Sequence, residues 1–219
     1  MLDGRMREII HIIDDEPSLR RSLLNFFEST GREAISFDDA SEFLAYARNG
    51  CTGCVLLDMN MPGMTGLELQ VMLKRYGNSI PIIFMTGSTN ISMSVSAMKG
   101  GAFDFLIKPF EPKIMVGVVD RAFEYDRSSR VQSGEMELLR EKLQRLTPRE
   151  TEVWHYVADG LMNKQIAFQM NISEIMVKLH RGRMMKKLDA KSVVDIVRMF
   201  DRLMPEGLLS RMTTTRTAA

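Results

Sequence analysis

The chain has 219 residues, of which 45% are hydrophobic and 26% are charged, a composition typical of globular proteins and not of disordered or collagen-like chains. No run approaches the roughly 20 apolar residues that cross a bilayer, and the N-terminus lacks the pattern of a signal peptide, so we expect a cytoplasmic protein with no role in a membrane. Residues 1–130 carry 14 basic and 17 acidic side chains, which leaves 15 basic and 11 acidic for residues 131–219 and makes the second half the better candidate for binding a polyanion.

Residues 9–125 alternate short apolar runs with amphipathic segments. The predicted strands are Ile9–Ile13, Glu33–Phe37, Cys54–Leu57, Ile80–Met85 and Asp104–Ile107. The predicted helices are Pro17–Ser29, Ser41–Asn49, Gly66–Arg75, Ile91–Lys99 and Pro112–Tyr125. Five strands that alternate with five helices predict an α/β fold, a doubly wound sheet of five parallel strands.

Polar side chains follow four of these strands. They are Asp14, Asp15, Asp58, Thr86 and Lys108. Because the carboxyl ends of parallel strands meet at one edge of the sheet, we expect these side chains to lie together. Three crowded carboxylates repel one another unless a divalent cation lies between them, and oxygen ligands suit Mg²⁺. Lys108 would neutralise a phosphoryl group on Asp58, and the Thr86 hydroxyl would donate a hydrogen bond to it.

Four motifs in this half resemble the receiver domain of two-component response regulators. They are Asp14-Asp15, Leu56–Gly66, Thr86-Gly87 and Lys108-Pro109-Phe110. The resemblance implies that a partner sensor histidine kinase transfers a phosphoryl group to Asp58. It also implies that Asp15, Asp58 and the carbonyl of Asn60 hold Mg²⁺, with Asp14 beside them.

The same resemblance implies a switch. Thr86 and Phe105 would form the switch pair, and their movement would expose a dimer face on the fourth and fifth helices. The Lys108–Pro109 peptide is expected to be cis, which proline tolerates. The phosphoryl group is expected to leave Asp58 slowly without a second enzyme, at a rate that Asn60 and Ser88 tune.

The second half predicts a small helical domain. We expect a receiver domain at residues 1–127, a partly helical linker at 128–145, a helical domain at 146–205 and a disordered tail at 206–219. The helices of the second domain are predicted at Thr147–Gly160, Asn163–Gln169, Ser173–Leu188 and Ser192–Leu203. The first of them opens with a threonine cap, a proline and the glutamate of a capping box.

The third of these helices has an apolar and a basic face. At about 100° per residue, Val177, Met184 and Leu188 share the side that faces the core. The opposite side and its flanks present Lys178, Leu179, Arg181, Gly182, Arg183 and Lys186. A basic helix that follows a short helix and a tight turn fits the major groove of DNA.

Residues 146–200 resemble the LuxR/NarL type of helix-turn-helix through Leu146–Glu150, Gly160–Ala167, Ile172–Glu174 and Val177–Arg181. Together with the receiver, this is the layout of the FixJ/NarL response regulators. It implies a phosphorylation-dependent homodimer that binds double-stranded promoter DNA and, with RNA polymerase, activates transcription. The expected DNA contacts are Lys164, Lys178, Leu179, Arg181, Arg183 and Lys186. The chain departs from the pattern at two positions. Met176 replaces the usual threonine, and Gly182 has no side chain at a position that often reads bases.

Other functions fit the residues less well. A phosphatase that forms an aspartyl-phosphate needs an acid two residues after the nucleophile, where this chain has Asn60. An RNA-binding antiterminator needs a different helical domain. The basic helix could also be only a solvated face, and Cys51 and Cys54 are expected to be ordinary reduced thiols.

Overall fold

The structure is a computed structural model, and it describes residues 7–48, 50–87 and 91–204, without the side chains of Ile91 and Ser92. These residues form two compact units that divide between Arg130 and Val131. No helix in these ranges is both long and apolar enough to cross a membrane. The tail predicted at 206–219 lies outside the described residues, as do Asn49 and Ser88.

The first unit contains five strands and five helices. The strands are β1 (Ile9–Ile13), β2 (Glu33–Phe37), β3 (Gly53–Asp58), β4 (Ile82–Thr86) and β5 (Asp104–Ile107). The helices are α1 (Pro17–Ser29), α2 (Ala40–Ala47), α3 (Gly66–Arg75), α4 (Ile91–Gly100) and α5 (Pro112–Gln144). All strand pairs are parallel, in the order β2-β1-β3-β4-β5. The predicted doubly wound fold is confirmed.

Helices cover both faces of the sheet. On one face, Val55 of β3 packs with Phe43 of α2 and Leu69 of α3. On the other, Ile10 of β1 packs with Phe27 of α1 and with residues of α5. Every residue of β3 is buried, as expected for a central parallel strand with both faces covered. The polar groups at the strand ends are therefore held on a rigid scaffold.

Several element boundaries in this unit differ from the sequence prediction, among them the start of β4 and the end of α5. β4 begins at Ile82 and not at Ile80, because Pro81 has no N–H to donate to the ladder. Its carbonyl instead accepts a hydrogen bond from Val55. α5 runs on to Gln144, where the sequence predicted a helix end at Tyr125 and a partly helical linker.

Polar helix-forming residues carry α5 beyond Tyr125. Arg130 pairs with Asp126 at 2.8 Å and Arg140 pairs with Glu137 at 3.6 Å, at the i,i+4 and i,i+3 spacings that support a helix. The division between the two units thus falls within a helix.

The second unit is helical. Its helices are the last turns of α5, then α6 (Pro148–Ala158), α7 (Asn163–Met170), α8 (Glu174–Leu188) and α9 (Val193–Leu203). Thr147 and Glu150 form the predicted capping box of α6. The core contains Trp154, Ile166 and Val177. Asn171 takes a left-handed conformation with φ 51°, which closes the tight turn between α7 and α8 and completes a helix-turn-helix.

Candidate functional site

The polar residues predicted to meet at one sheet edge lie at the carboxyl ends of the strands. Asp14 follows β1, Asp58 and Thr86 end β3 and β4, and Lys108 follows β5. Lys108 Nζ lies 2.6 Å from Asp14 Oδ2 and 2.6 Å from Asp58 Oδ1. One ammonium therefore bridges two carboxylates that are 44 positions apart in the sequence.

Both bridged carboxylates are buried and held by the backbone. Asp14 is 1% exposed and Asp58 is 7% exposed. The amide of Glu16 donates to Asp14 Oδ1 and that of Asn60 donates to Asp58 Oδ2, each at 2.9 Å. The guanidinium of Arg20, which sequence reasoning missed, donates to the Asp14 carbonyl at 2.6 Å. These bonds fix the direction in which each carboxylate points.

Negative charge exceeds positive charge in this cluster. Burial raises the pKa of Asp58, although the hydrogen bond and charge of Lys108 act in the opposite direction. Burial disfavours the charge on Lys108, but its bonds to Asp14 and Asp58 outweigh that effect and raise its pKa. The lysine is therefore charged at neutral pH, and a single positive charge faces two buried carboxyl groups.

Helix α3 begins in direct contact with the end of β3. A Cβ atom on Gly66 would lie 2.5 Å from the carbonyl oxygen of Asp58 and 2.9 Å from a ring carbon of Phe84. Only glycine fits this approach. Thr65 and Glu68 form a capping box at the same point. The glycine that ends the Leu56–Gly66 motif thus fixes the loop after Asp58.

The oxygen groups at this edge are of the chemical type that Mg²⁺ prefers as ligands. Asp15 is exposed beside the buried Asp14, and the Asp58 carboxylate and the Asn60 carbonyl complete the predicted ligand set. Among the described residues, no three His, Cys, Asp or Glu side chains are grouped as a metal site. Mg²⁺ does not require such a group, because it keeps several waters and binds through one or two carboxylates. The excess negative charge agrees with a divalent cation.

The predicted switch residues lie on the neighbouring strands β4 and β5. Thr86 is 2% exposed, and its carbonyl accepts a hydrogen bond from the Lys108 amide at 2.7 Å. The Lys108–Pro109 peptide is cis, as expected. Phe105, on β5, is 37% exposed. The hydroxyl-bearing residue is thus buried near the cluster, whereas the ring reaches the surface.

Helix α8 presents a mixed basic and apolar surface. Val177, Met184 and Leu188 are fully buried, which confirms the predicted core side. The predicted DNA contacts that are exposed are Lys164, Lys178, Leu179, Arg183 and Lys186. Lys178 also pairs with Glu174 at 3.6 Å, one turn away. Such a surface on the second helix of a helix-turn-helix fits the major groove.

Two further basic residues of α8 make contacts within the unit. Arg181 is half-buried, and its guanidinium donates to Asn163 Oδ1 at 2.6 Å, which joins α8 to the start of α7. Lys187 Nζ lies 2.6 Å from Glu150 Oε2, which joins α8 to α6. Burial would raise the pKa of Glu150, but the bonds from Lys187 and Thr147 lower it. The helical wheel could have indicated the Arg181 contact, since this residue lies only about 40° from Val177.

The first unit is a parallel sheet with a lysine between two buried aspartates at its carboxyl edge, which is the arrangement of a receiver. The second unit contains a basic helix-turn-helix, which is the arrangement of a DNA-binding domain. Residues 10–120 match the family model of the response regulator receiver domain, and residues 144–200 match that of the luxR family of bacterial regulatory proteins. The chain belongs to the two-component response regulators with a LuxR-type DNA-binding domain, a family of transcription regulators. The predicted family is confirmed.

Relatives match across both units. Nodulation protein W of Bradyrhizobium diazoefficiens is 43% identical over 201 residues, which cover 92% of this chain and 88% of that protein. Transcriptional regulatory protein FixJ of Rhizobium meliloti is 37% identical over 190 residues, which cover 87% and 93%. The structure of response regulator StyR superposes with a TM-score of 0.78 at 38% identity and covers 90% of this chain and 100% of that one.

Proposed function

We propose that a sensor histidine kinase phosphorylates Asp58 in the cytoplasm, and that the phosphorylated chain dimerises and binds paired half-sites in promoter DNA. The observation that carries this proposal is the position of Lys108 Nζ, 2.6 Å from both Asp14 and Asp58. An ammonium in that position can pair with a phosphoryl oxygen on Asp58 without a large movement.

In the proposed transfer, a carboxylate oxygen of Asp58 forms a bond to phosphorus as the phosphorus–nitrogen bond of the kinase phosphohistidine breaks. The histidine nitrogen keeps the electron pair of that bond. Asp15, Asp58 and the Asn60 carbonyl would hold Mg²⁺, with Asp14 next to them, and the bound ion supplies positive charge between two negative reactants. Lys108 neutralises the negative charge on another oxygen of the phosphoryl group.

The proposed switch uses Thr86 and Phe105. The Thr86 hydroxyl donates a hydrogen bond to a phosphoryl oxygen on Asp58, and the Phe105 ring follows into the space that the hydroxyl leaves. The exposure of this ring, 37%, supports the proposal because the ring is not locked in the core. The change would complete a dimer surface on α4 and α5.

On DNA, Lys164, Arg183 and Lys186 would bind phosphates, and Lys178 and Leu179 would reach base edges. Arg181 would contribute through its bond to Asn163, which positions α7 against α8. Activation of transcription through RNA polymerase is proposed from the family resemblance. The phosphatase alternative remains disfavoured because Asn60 takes the place of the required acid, and only slow loss of the phosphoryl group to water is expected.

The test is selection of bound DNA from a random-sequence pool, with and without acetyl phosphate and Mg²⁺. We expect the phosphodonor to tighten binding of the wild type and to enrich paired half-sites, and to have no effect on Asp58→Asn. Asp38→Asn, which alters an exposed acid after β2, is the matched control and should respond as the wild type does. Equal binding with and without the donor would refute the proposed gating.

A further inference from the structure

The centre of the outward face of α8 is apolar in its first two turns. Ile175, Leu179, Gly182 and Lys186 are spaced by four, three and four residues, so they form one stripe opposite the buried side of the helix. Ile175 is 77% exposed and Leu179 is 43% exposed. A Cβ atom on Gly182 would meet nothing within 4 Å. The stripe therefore consists of two exposed branched side chains, a glycine without a side chain and a lysine.

The surroundings of this stripe favour DNA as its partner. Lys178 and Arg183 border it on opposite sides of α8, and both are exposed. Positive charge on both borders is attracted by the negative potential of a DNA groove. Ile175 and Leu179 have no donor or acceptor for the polar base edges. The apolar group that bases present in the major groove is the C5-methyl group of thymine.

We propose that Ile175 and Leu179 read thymine methyl groups in each half-site, an inference that rests on the proposed DNA-binding function. Residues four apart are separated by about 6 Å along a helix, close to two base-pair steps of about 3.4 Å. The side chains therefore match two thymines about two steps apart. The missing side chain at Gly182 lets the middle of α8 approach the bases closely.

The test replaces thymine by uracil, which lacks only the methyl group. The full-length, phosphorylated protein is measured against its selected site, against the same site with single thymines changed to uracil, and at one fixed salt concentration. We expect the Kd to rise about fourfold for each methyl group that is contacted. Leu179→Ala should bind the thymine site more weakly and should lose the response to uracil at the position that Leu179 contacts.

Two controls separate methyl contact from other effects. Ile175→Ser should lose the response at the second thymine only, and Val194→Ala, which shortens an exposed side chain on α9, should keep both responses. If a site is selected but uracil leaves the Kd unchanged, or if Leu179→Ala keeps the full response, the inference is wrong and the stripe has another partner. If no site is selected in either phosphorylation state, the proposed function itself is wrong.

Discussion

At the scale of single residues, the negative charge of the buried Asp58 carboxylate destabilises the folded protein. Its pKa in the folded state is raised by burial, so the ionised form destabilises the fold at neutral pH, and this cost disappears as the pH falls through the raised pKa. Asp58→Asn should therefore raise the Tm of the first unit by a few degrees. Calorimetry of the full chain measures this change in Tm.

Asp15→Asn is the control for that prediction, because Asp15 lies at the same edge but is exposed. Its Tm should stay close to that of the wild type, since exposed substitutions change stability by about 0.5 kcal/mol or less. A lower Tm for Asp58→Asn would mean that the attraction to Lys108 outweighs the burial of the carboxylate.

His11 gives a second prediction at this scale. It is 0% exposed, its Nδ1–H donates to the Cys54 carbonyl at 3.1 Å, and its Nε2 has no hydrogen-bond partner within the described residues. Burial lowers the pKa of His11 to about 4. Because the unfolded histidine binds a proton below about 6.5 and the folded one does not, stability falls as the pH drops through this window.

Between pH 7 and pH 5 this histidine should remove about 2 kcal/mol from the free energy of unfolding. His11→Leu, which keeps an apolar side chain among Phe37, Phe43 and Tyr46, should lack that part of the pH dependence. Urea unfolding at the two pH values measures it. His180→Gln leaves His11 in place and should retain the wild-type difference, whereas an equal loss in wild type and His11→Leu would contradict the assignment.

The sequence allowed part of the site to be predicted. Apolar runs that end in Asp14 and Asp58 placed both carboxylates at strand ends, because the direction of parallel strands follows from their alternation with helices. The contact of Arg20 with the Asp14 carbonyl could not be predicted in this way. It depends on the rotation of α1 about its own axis relative to the sheet. The pattern of apolar residues does not define this rotation closely enough to predict a single side-chain contact.

At the scale of elements, an ion pair between a buried carboxylate and a partly exposed lysine joins α8 to α6. Glu150 is 2% exposed, and Lys187 is its only ammonium partner among the described ion pairs. Lys187→Met would leave this carboxylate buried without a cation, which should cost about 1–2 kcal/mol, because Lys187 is about a third exposed and solvent screens part of the attraction. The chain contains one tryptophan, Trp154, and it is buried in the same core, so its fluorescence during urea unfolding reports on this unit.

Lys186→Met provides the matched control for Lys187→Met. Lys186 is the adjacent residue, is exposed and makes no ion pair among those found in the described residues, so its loss should change the free energy of unfolding by about 0.5 kcal/mol or less. Equal destabilisation by the two substitutions would show that the contact with Glu150 does not hold α8.

Elements with strong local signals were also the ones that the sequence defined best. Thr147, the predicted cap of α6, accepts a hydrogen bond from the backbone of that helix, and α8 and α9 begin directly after Ser173 and Ser192, whose side chains cap them in the same way. The continuation of α5 had no such signal. Its residues 126–144 are mostly polar and lack a continuous apolar stripe. The ion pairs at i,i+4 and i,i+3 spacing can be read from the sequence, but the burial of Leu139 is a tertiary contact that a single sequence does not show.

At the scale of the whole molecule, dimerisation should be visible in the salt dependence of DNA binding. If Lys164, Arg183 and Lys186 each neutralise one phosphate, a single module gives a slope of log K against log salt of about −2.7, and two modules give about −5.4. We expect the steeper slope with acetyl phosphate and Mg²⁺ and the shallower one without them or with Asp58→Asn. Electrophoretic or fluorescence titrations at several salt concentrations measure both.

Two substitutions make this measurement specific. Lys186→Met should reduce the slope of the phosphorylated wild type by about 2, one unit for each module of the dimer. Arg21→Gln removes an exposed positive charge from α1 in the first unit and should leave the slope unchanged, because this side chain contacts no phosphate in the proposed complex. A slope that is the same with and without the phosphodonor would mean that one module binds DNA in both states, so phosphorylation of Asp58 would have to act on a step other than dimer formation.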